Sequence, residues 1–421
     1  SQHMLTQPVF EALFENYSFA EHNPVSKSMQ EMVKILEENA PFSKDTEILK
    51  RFYTSVQEKA QGVDNDEARQ VIVVKLYDTF FQTAFPKMAQ QLGIVYTPVE
   101  LVDFMIRSVD DVLKKEFGRG LTDENVHILD PFTGTGTFIT RLLQSGLIKP
   151  EDLVRKYQHE MHANEIVLLA YYIAAVNIEN AFHAQNPAGI TGYQAFPGIC
   201  LTDTFQLYEE EEKEHLVTEY FKENSEQVKA QKKAPITVIL GNPPYSAGQK
   251  AANDNNQNQS YEKLETKIEK TYVKDSTITN KNSLYDSYIK AFRWATDRID
   301  EEGIICFVTN GGWLDGNAMD GFRKHLEMDF DSIYVLNLRG NGRTSGEICR
   351  KEGGQIFALG SGSKAAICIT LLVKKRNSEG KAVIHYRDIG DYLKREEKLG
   401  LLRKYGSFLS ESMPDLETLH P

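Results

Sequence analysis

Two short stretches carry residues whose types and spacing are suited to chemistry. The first is ITVILGNPPYSAG, Ile236 to Gly248, an apolar run of strand type that ends in Asn242, Pro243, Pro244 and Tyr245. Asn242 brings a side-chain carbonyl and Pro243 a backbone carbonyl, and proline fixes its own φ and restricts the residue before it. Two acceptors held in this way and aimed at the N–H bonds of a planar amine localise its lone pair and turn it toward an electrophile. Tyr245 adds a flat face, worth roughly 1 to 3 kcal/mol where a nucleobase stacks on an aromatic ring. A plain rigid turn accounts for the prolines but not for the Asn and Tyr on either side of them.

The second stretch is VHILDPFTGTGTFITRLL. A strand ends at Asp130, the chain turns through Gly134 and Gly136, and a helix follows. The third glycine of a dinucleotide fingerprint is replaced by Phe138, and no Gly-Lys-Ser/Thr of a P-loop is present. The turn therefore suits a nucleoside ligand without a pyrophosphate, which points to S-adenosylmethionine. Its ribose hydroxyls require a carboxylate at the end of the second strand, where Glu165 stands at the strand-to-helix transition, with Glu160 as rival. Its adenine amine requires an acceptor after the third strand, where Asp203 stands in CLTDTF with Phe205 placed to pack on the ring. Any one of these acids alone reads as a solvated charge or a helix cap. Three of them at successive strand ends behind one glycine turn read as a site.

The elements that must position them change character along the chain. Leu5 to Gly93 is helical in pattern, with Met29, Met32, Val33, Ile35 and Leu36 on one face and Pro86 as a break. Beyond Tyr96-Thr97-Pro98, short β-branched runs alternate with helical stretches. VHILD, a segment near His159 to Asn164, one ending at Thr202-Asp203, TVIL, GIICFVTN, SIYVLNL and AAICITLLVKK are the strands. This alternation predicts an α/β fold: a Rossmann-like, mostly parallel sheet with helices on both faces, preceded by an N-terminal helical bundle. The division is 1–93 for the helical domain and 94–421 for the sheet domain. Ligands of such sheets lie at the carboxyl ends of the strands. Ala247 to Asn282, Asn/Gln-rich in its first half, reads as a surface insertion or as a lid over that site.

Composition narrows the function classes. At 421 residues, with 41% hydrophobic and 26% charged residues, the chain has room for more than one packed unit. No apolar run is long enough for a membrane helix and no secretion signal stands at the N-terminus, so a soluble, cytoplasmic protein without a membrane partner is expected. Ser1 to Met4 read as an expression remnant ahead of an internal fragment. A net charge of −12 opposes non-specific binding to nucleic acid and leaves only a local basic cleft. Arg339, Arg343, Arg350 and Lys351 in LRGNGRTSGEICRK form one such basic loop, placed to meet phosphates. Cys200, Cys306, Cys349 and Cys368 lack paired spacing and read as reduced and structural. His159, His162, His183 and Cys200 match no common zinc pattern, so no metal is expected.

Taken in order, Tyr96-Thr97-Pro98, DPFTGTGTF, Glu165, Asp203 and NPPY resemble a gamma-class adenine-N6 DNA methyltransferase. TQPVFEALFENYSFAEHNPVSKSM, NKNSLYDSYIKAFRWATDRI and NLRGNGRTSGEICRKEGGQIFALGSGSKAAICITLLVKK narrow the resemblance to the coupler and methyltransferase region of Type ISP restriction-modification enzymes. The resemblance implies that Tyr96, Thr97 and Pro98 line the cofactor site. Asp130 and the Gly134-Thr135-Gly136-Thr137 turn, with Phe132 beside them, would hold the methionine part. Glu165 would hold the ribose, and Asp203 with Thr204 and Phe205 the adenine. Asn242 would border the cofactor while Asn242, Pro243, Pro244 and Tyr245 act on a flipped-out adenine. Phe357 is a candidate for the wall opposite Tyr245, with a core aromatic as its other reading. The resemblance also implies double-stranded DNA as substrate, a target-recognition domain, and nuclease and translocase modules on a longer polypeptide. Two alternatives remain. One is an NPPY methyltransferase acting on a protein glutamine or an RNA guanine, which the helical region and the arginine-glycine loop argue against. The other is a coupling module that binds cofactor without catalysis.

Overall fold

The structure is a computed structural model, and it describes residues 22–39, 97–209, 221–244, 261–357, 365–376 and 380–419. Most of the expected helical domain therefore lies outside the described residues, as do Pro86, Tyr96, Tyr245 and the first part of the expected lid. Within them the α-helices are α1 (Pro24–Asn39), α2 (Val99–Phe117), α3 (Thr137–Gln144), α4 (Leu168–Ala184), α5 (Lys222–Lys233), α6 (Glu262–Ile268), α7 (Ser287–Arg298), α8 (Asp320–Asp329), α9 (Gly346–Glu352) and α10 (Arg395–Tyr405), with a short helical turn at Leu153–Arg155. The strands are β1 (His127–Asp130), β2 (Met161–Glu165), β3 (Ile199–Leu201), β4 (Ile236–Gly241), β5 (Gly303–Asn310), β6 (Ser332–Arg339), β7 (Ile367–Lys374), β8 (Val383–Asp388) and β9 (Glu417–Leu419).

All nine strands join one sheet in the order β3-β2-β1-β4-β5-β7-β6-β8-β9. β3, β2, β1, β4 and β5 are parallel neighbours, β7 is inserted antiparallel between β5 and β6, and β8 runs parallel to β6. The sequence pattern anticipated the strands through β7 to within a few residues. It did not anticipate β8 and β9, nor the reversal of β7.

Alternation along β5 sorts the core into two layers, as a period of two residues requires. Ile304, Cys306 and Val308 face a cluster built with α2, α3, α4 and α10, whereas Ile305 and Phe307 face one built with α6, α7 and α8. The sheet is thus covered on both faces, which is why its central strands are continuous hydrophobic runs. α6 corrects one expectation. Leu264, Ile268 and Tyr272 are fully buried in the second cluster, so residues 261 to 273 pack against the sheet and are not a surface insertion. Their four-residue spacing puts three apolar side chains on one helical face, a signal hidden behind the polar run that precedes it. From the N-terminal region, Val25 of α1 is buried, and Asn23 Nδ2 donates to Tyr171 Oη of α4 at 3.2 Å.

Candidate active site

The carboxyl ends of β3, β2, β1 and β4 lie side by side, and each carries one of the expected residues. Asp203 follows β3, Glu165 ends β2, Asp130 ends β1 and Asn242 follows β4. With neighbouring strands ~4.8 Å apart, this row is about 14 Å long, a length suited to an extended ligand lying across the strand ends. The direction of β2 separates the rival acids. Glu160 precedes the strand, at the opposite edge of the sheet, where Arg155, Lys156 and the Asn125 amide bind its carboxylate.

The glycine turn lies over the middle of the row. Thr133 N donates to Asn164 O at 3.0 Å and Thr133 Oγ1 to Asp130 O at 3.0 Å, tying the turn to β1 and β2. Gly136 has φ +85°, and a Cβ there would stand 3.0 Å from Ala174 Cα, so the turn rests directly on α4. Asn177 of α4 donates to Thr135 O at 2.9 Å, and Thr137 is the first residue of α3. Above Gly134, in contrast, a Cβ would meet nothing within 4 Å. Closed below and open above, the turn forms a cradle in which a ligand can approach the backbone.

Two buried carboxyls stand at the strand ends beneath this turn. Asp130 is fully buried; Oδ1 accepts from Phe132 N at 3.1 Å, and Oδ2 is buried without a hydrogen-bond partner. Burial pushes its pKa up to about 8, and the nearby Glu165 adds to the rise. Glu165 accepts from Gly134 N and Val167 N, both at 2.8 Å, yet burial pushes it up to about 7. An unpaired buried carboxyl oxygen costs free energy unless a donor or a cation meets it. The donor set therefore fits a ligand that carries a positively charged amino acid group and a diol.

At the β3 end, Asp203 Oδ1 accepts from Phe205 N at 2.9 Å and Oδ2 accepts from Tyr261 Oη at 2.7 Å. Burial raises its pKa. Thr204 is buried, with Oγ1 donating to Pro131 O at 2.6 Å, so the third strand end is fastened to the first. Phe205 lies 5.4 Å from Phe132 and 5.3 Å from Tyr261 between ring centroids, and Phe132 in turn lies 6.4 Å from Phe307. Ile166, 48% exposed, stands beside Glu165 as an apolar surface on the same edge. Neither Ile166 nor Tyr261 was singled out from the sequence. In the sequence Ile166 is one of an apolar run, EIVLL, and neither its exposure nor the contact of Tyr261 has a signal without the tertiary fold.

At the β4 end, Asn242 Nδ2 donates to Thr97 Oγ1 at 3.0 Å, which joins the segment before α2 to the expected catalytic turn. Thr97 and Pro98 are buried, as is Pro243, while Pro244 is partly so. Gly241 is required here: a Cβ on it would lie 2.8 Å from Asp130 Oδ1.

The structure does not bring together every expected substrate residue. Phe357 is 4% exposed and sits in the first core cluster with Ile356, Leu399 and Leu402, so it is a core aromatic and not an open wall for a base. Arg339 is not free for a phosphate. Its guanidinium pairs with Asp388 at 2.7 Å and with Asp391, and its φ of 55° belongs to the bend that ends β6. Arg343 is exposed and borders a cavity of about 560 Å³ that Asn310, Trp313, Arg323, Asn337 and Tyr386 also line. That cavity lies beyond β5, away from the row of acids. Among the described residues no cluster of His, Cys, Asp and Glu is arranged to hold a metal, and no helix is long and apolar enough to cross a membrane.

The sheet, with its reversed seventh strand, its covered faces and its row of polar residues at the carboxyl edge, defines the class as a Rossmann-like α/β fold. Within that class, residues 158–341 match the Eco57I restriction-modification methylase family, and residues 1–68 match the coupler domain of Type ISP restriction-modification enzymes. The chain thus has the coupler-plus-methylase organisation of Type ISP enzymes. It is similar over 100% of its length to a nuclease-deletion mutant of the Type ISP enzyme LlaGI in complex with a DNA substrate mimic, at 49% identity and a TM-score of 0.90, covering 33% of that chain. The ATP-dependent Type ISP enzyme LlaBIII bound to DNA matches at 47% identity and a TM-score of 0.90, with 28% of it covered. DrdV, in a complex with DNA, matches at 37% and 0.87, with 40% covered. The chain therefore spans between a quarter and two fifths of these enzymes. Among curated proteins none matches.

Proposed function

We propose that the chain is the modification part of a restriction-modification enzyme and transfers a methyl group from S-adenosylmethionine to N6 of an adenine flipped out of double-stranded DNA. The observation that carries this reading is the row of Asp203, Glu165, Asp130 and Asn242 on four adjacent strand ends under an open glycine turn. Bound there, the cofactor supplies an electrophilic methyl group. Asp130 and the Gly134 to Thr137 turn receive its charged amino acid end, Glu165 the ribose, and Asp203 with Thr204 and Phe205 the adenine. Thr97 and Pro98 close the slot, and Tyr96, next to them in the sequence, is assigned to the cofactor with them.

The residues of the fourth strand end act on the target. Asn242 is oriented by Thr97, since its amide nitrogen donates to that hydroxyl. Its carbonyl and that of Pro243 accept the two amine hydrogens, and Pro244 stiffens the turn. Tyr245 stacks on the extruded base. Catalysis here is orientation plus preorganised acceptors: the amine nitrogen would form its bond to the methyl carbon as the sulfonium S–C bond breaks, and the surplus amine proton would pass to solvent water after transfer. In this reading, 1–93 is the coupler and 94–421 the methyltransferase domain. Target-recognition, translocase and nuclease modules of a longer polypeptide, of the kind the LlaGI and LlaBIII comparisons suggest, would deliver the DNA.

The test is Asn242→Ala in the full-length enzyme. DNA methylation should fall by roughly a hundredfold or more, far more than any accompanying loss of S-adenosylhomocysteine affinity. Undiminished methylation would end the proposal. Methyl transfer to protein or RNA pools but not to DNA would redirect it to the glutamine or guanine alternative.

A further inference from the structure

We infer that Tyr261 is a positioning residue for the adenine end of the cofactor slot, its hydroxyl holding Asp203 in the orientation from which that carboxylate accepts the exocyclic amine of an adenosyl ligand. The inference rests on the proposed cofactor reading and adds to it a residue that lies on neither the glycine turn nor the expected cofactor strands.

Tyr261 is held from several sides. Glu209, six residues beyond Asp203, closes the start of α6 by accepting from Lys263 N at 2.9 Å and Leu264 N at 3.1 Å. Behind this start, Leu264 and Ile268 are fully buried, which fixes the helix to the sheet. Lys290 of α7 lies 5.4 Å over the Tyr261 ring and pairs with Glu265 at 2.5 Å. The ring meets Phe205 edge to face at 5.3 Å. With the ring so constrained, the hydroxyl reaches Asp203 Oδ2 at 2.7 Å.

The hydrogen-bond capacity of Asp203 completes the argument. Oδ1 accepts from both Phe205 N and Gln206 N, at 2.9 and 3.4 Å. Oδ2 accepts from Tyr261, and a carboxylate oxygen has room for two donors. One acceptor position remains on the oxygen that Tyr261 orients. An adenine amine fills it, whereas a hypoxanthine carbonyl at the same place would face a lone pair with a lone pair. Tyr261 thus sets discrimination between the two bases as well as affinity.

The experiment measures binding of S-adenosylhomocysteine and S-inosylhomocysteine, which differ at the purine 6-position, to the 421-residue chain by calorimetry. Compared are the unaltered chain, Tyr261→Phe, Asp203→Asn and the double variant. Tyr261→Phe keeps the ring against Phe205 and is expected to weaken the adenosyl ligand about tenfold, with a smaller effect on the inosyl ligand, so that the preference narrows. In the Asp203→Asn background the same change should do little. A merely structural role would weaken both ligands equally and overturn the inference. So would tighter adenosyl binding, which would make Tyr261 an occupant of the ligand's place. Failure of the unaltered chain to bind either ligand would overturn the cofactor reading itself, and this inference with it.

Discussion

Two aspartates close parallel strands at the same edge of one sheet, and their surroundings are opposite. Asp130 ends β1 with Oδ2 buried and unpartnered. Asp388 ends β8, where Oδ1 accepts from Arg339 Nε at 2.7 Å and from Gly390 N at 2.8 Å, and Oδ2 takes Asn337 Nδ2 at 3.3 Å. The first leaves hydrogen-bonding capacity open in a place that costs stability; the second completes its bonds and fastens β6 to β8. Native interiors seldom leave such an oxygen unpaired. The half of the sheet that tolerates it is the half with the open glycine turn.

The largest expected effect breaks this contrast directly. Asp130→Asn removes the ionisable group and keeps its shape. Affinity of the 421-residue chain for S-adenosylmethionine should fall between roughly tenfold and a hundredfold, since a charge-assisted contact is lost. Its thermal stability without ligand should nevertheless rise. The folded-state pKa of about 8 lies above the unfolded value, so the favourable contribution of Asp130 to stability is lost as pH climbs toward 8. The gain from Asn should therefore grow between about pH 4 and pH 8 in melting scans and level off above that. Asp388→Asn should lower stability by about 1 kcal/mol and leave cofactor affinity unchanged, because it weakens a half-exposed pair with Arg339. Equal stability changes at the two aspartates would erase the distinction.

A smaller effect tests what keeps Asp130 in place. Gly241→Ala puts a Cβ 2.8 Å from Asp130 Oδ1, on a carboxyl that is buried. Overpacking of this kind costs about 1 to 3 kcal/mol, and the displaced carboxyl should also weaken cofactor binding. In Asp130→Ala, where the obstructing oxygens are gone, the same Gly241→Ala should cost much less. Denaturant titration of the four chains reads this coupling.

How much of this was legible in the sequence depended on whether the signal was local. Asp130, Asp203 and Asn242 were readable because each ends or follows a short apolar run, and Glu165 because it stands at a strand-to-helix transition ahead of an apolar helix; parallel strands of one sheet gather such ends on one edge. Glu165 and Glu160 were separable only by strand direction, which a five-residue difference in the strand's limits decides. β8 escaped notice because all six of its residues are only partly buried, so VIHYRD shows no alternation. The reversal of β7 has no compositional trace, since strand direction is set by the connections. Tyr261 was hidden for a related reason. Its hydroxyl meets an acid 58 positions away, a contact that no spacing rule announces. The basic loop failed differently: Arg339 and Arg343 look equivalent as a sequence, and only the fold gives Asp388 and Asp391 to one of them.

The smallest expected effect sharpens that last division. Arg343 is exposed at the mouth of the cavity beyond β5, whereas Arg339 is held between two aspartates. If the loop meets DNA phosphates in the full-length enzyme, each such contact releases about one counterion. Arg343→Ala should then reduce the slope of log affinity against log salt by about 1 without moving the melting temperature. Arg339→Ala should act in reverse, lowering stability by about 1 kcal/mol as its half-exposed pair with Asp388 is broken and the bend after β6 loosens, with the salt slope unaltered. DNA binding by the two variants across a salt series, read beside their melting curves, decides whether the loop is one basic surface or one contact residue beside one structural tie.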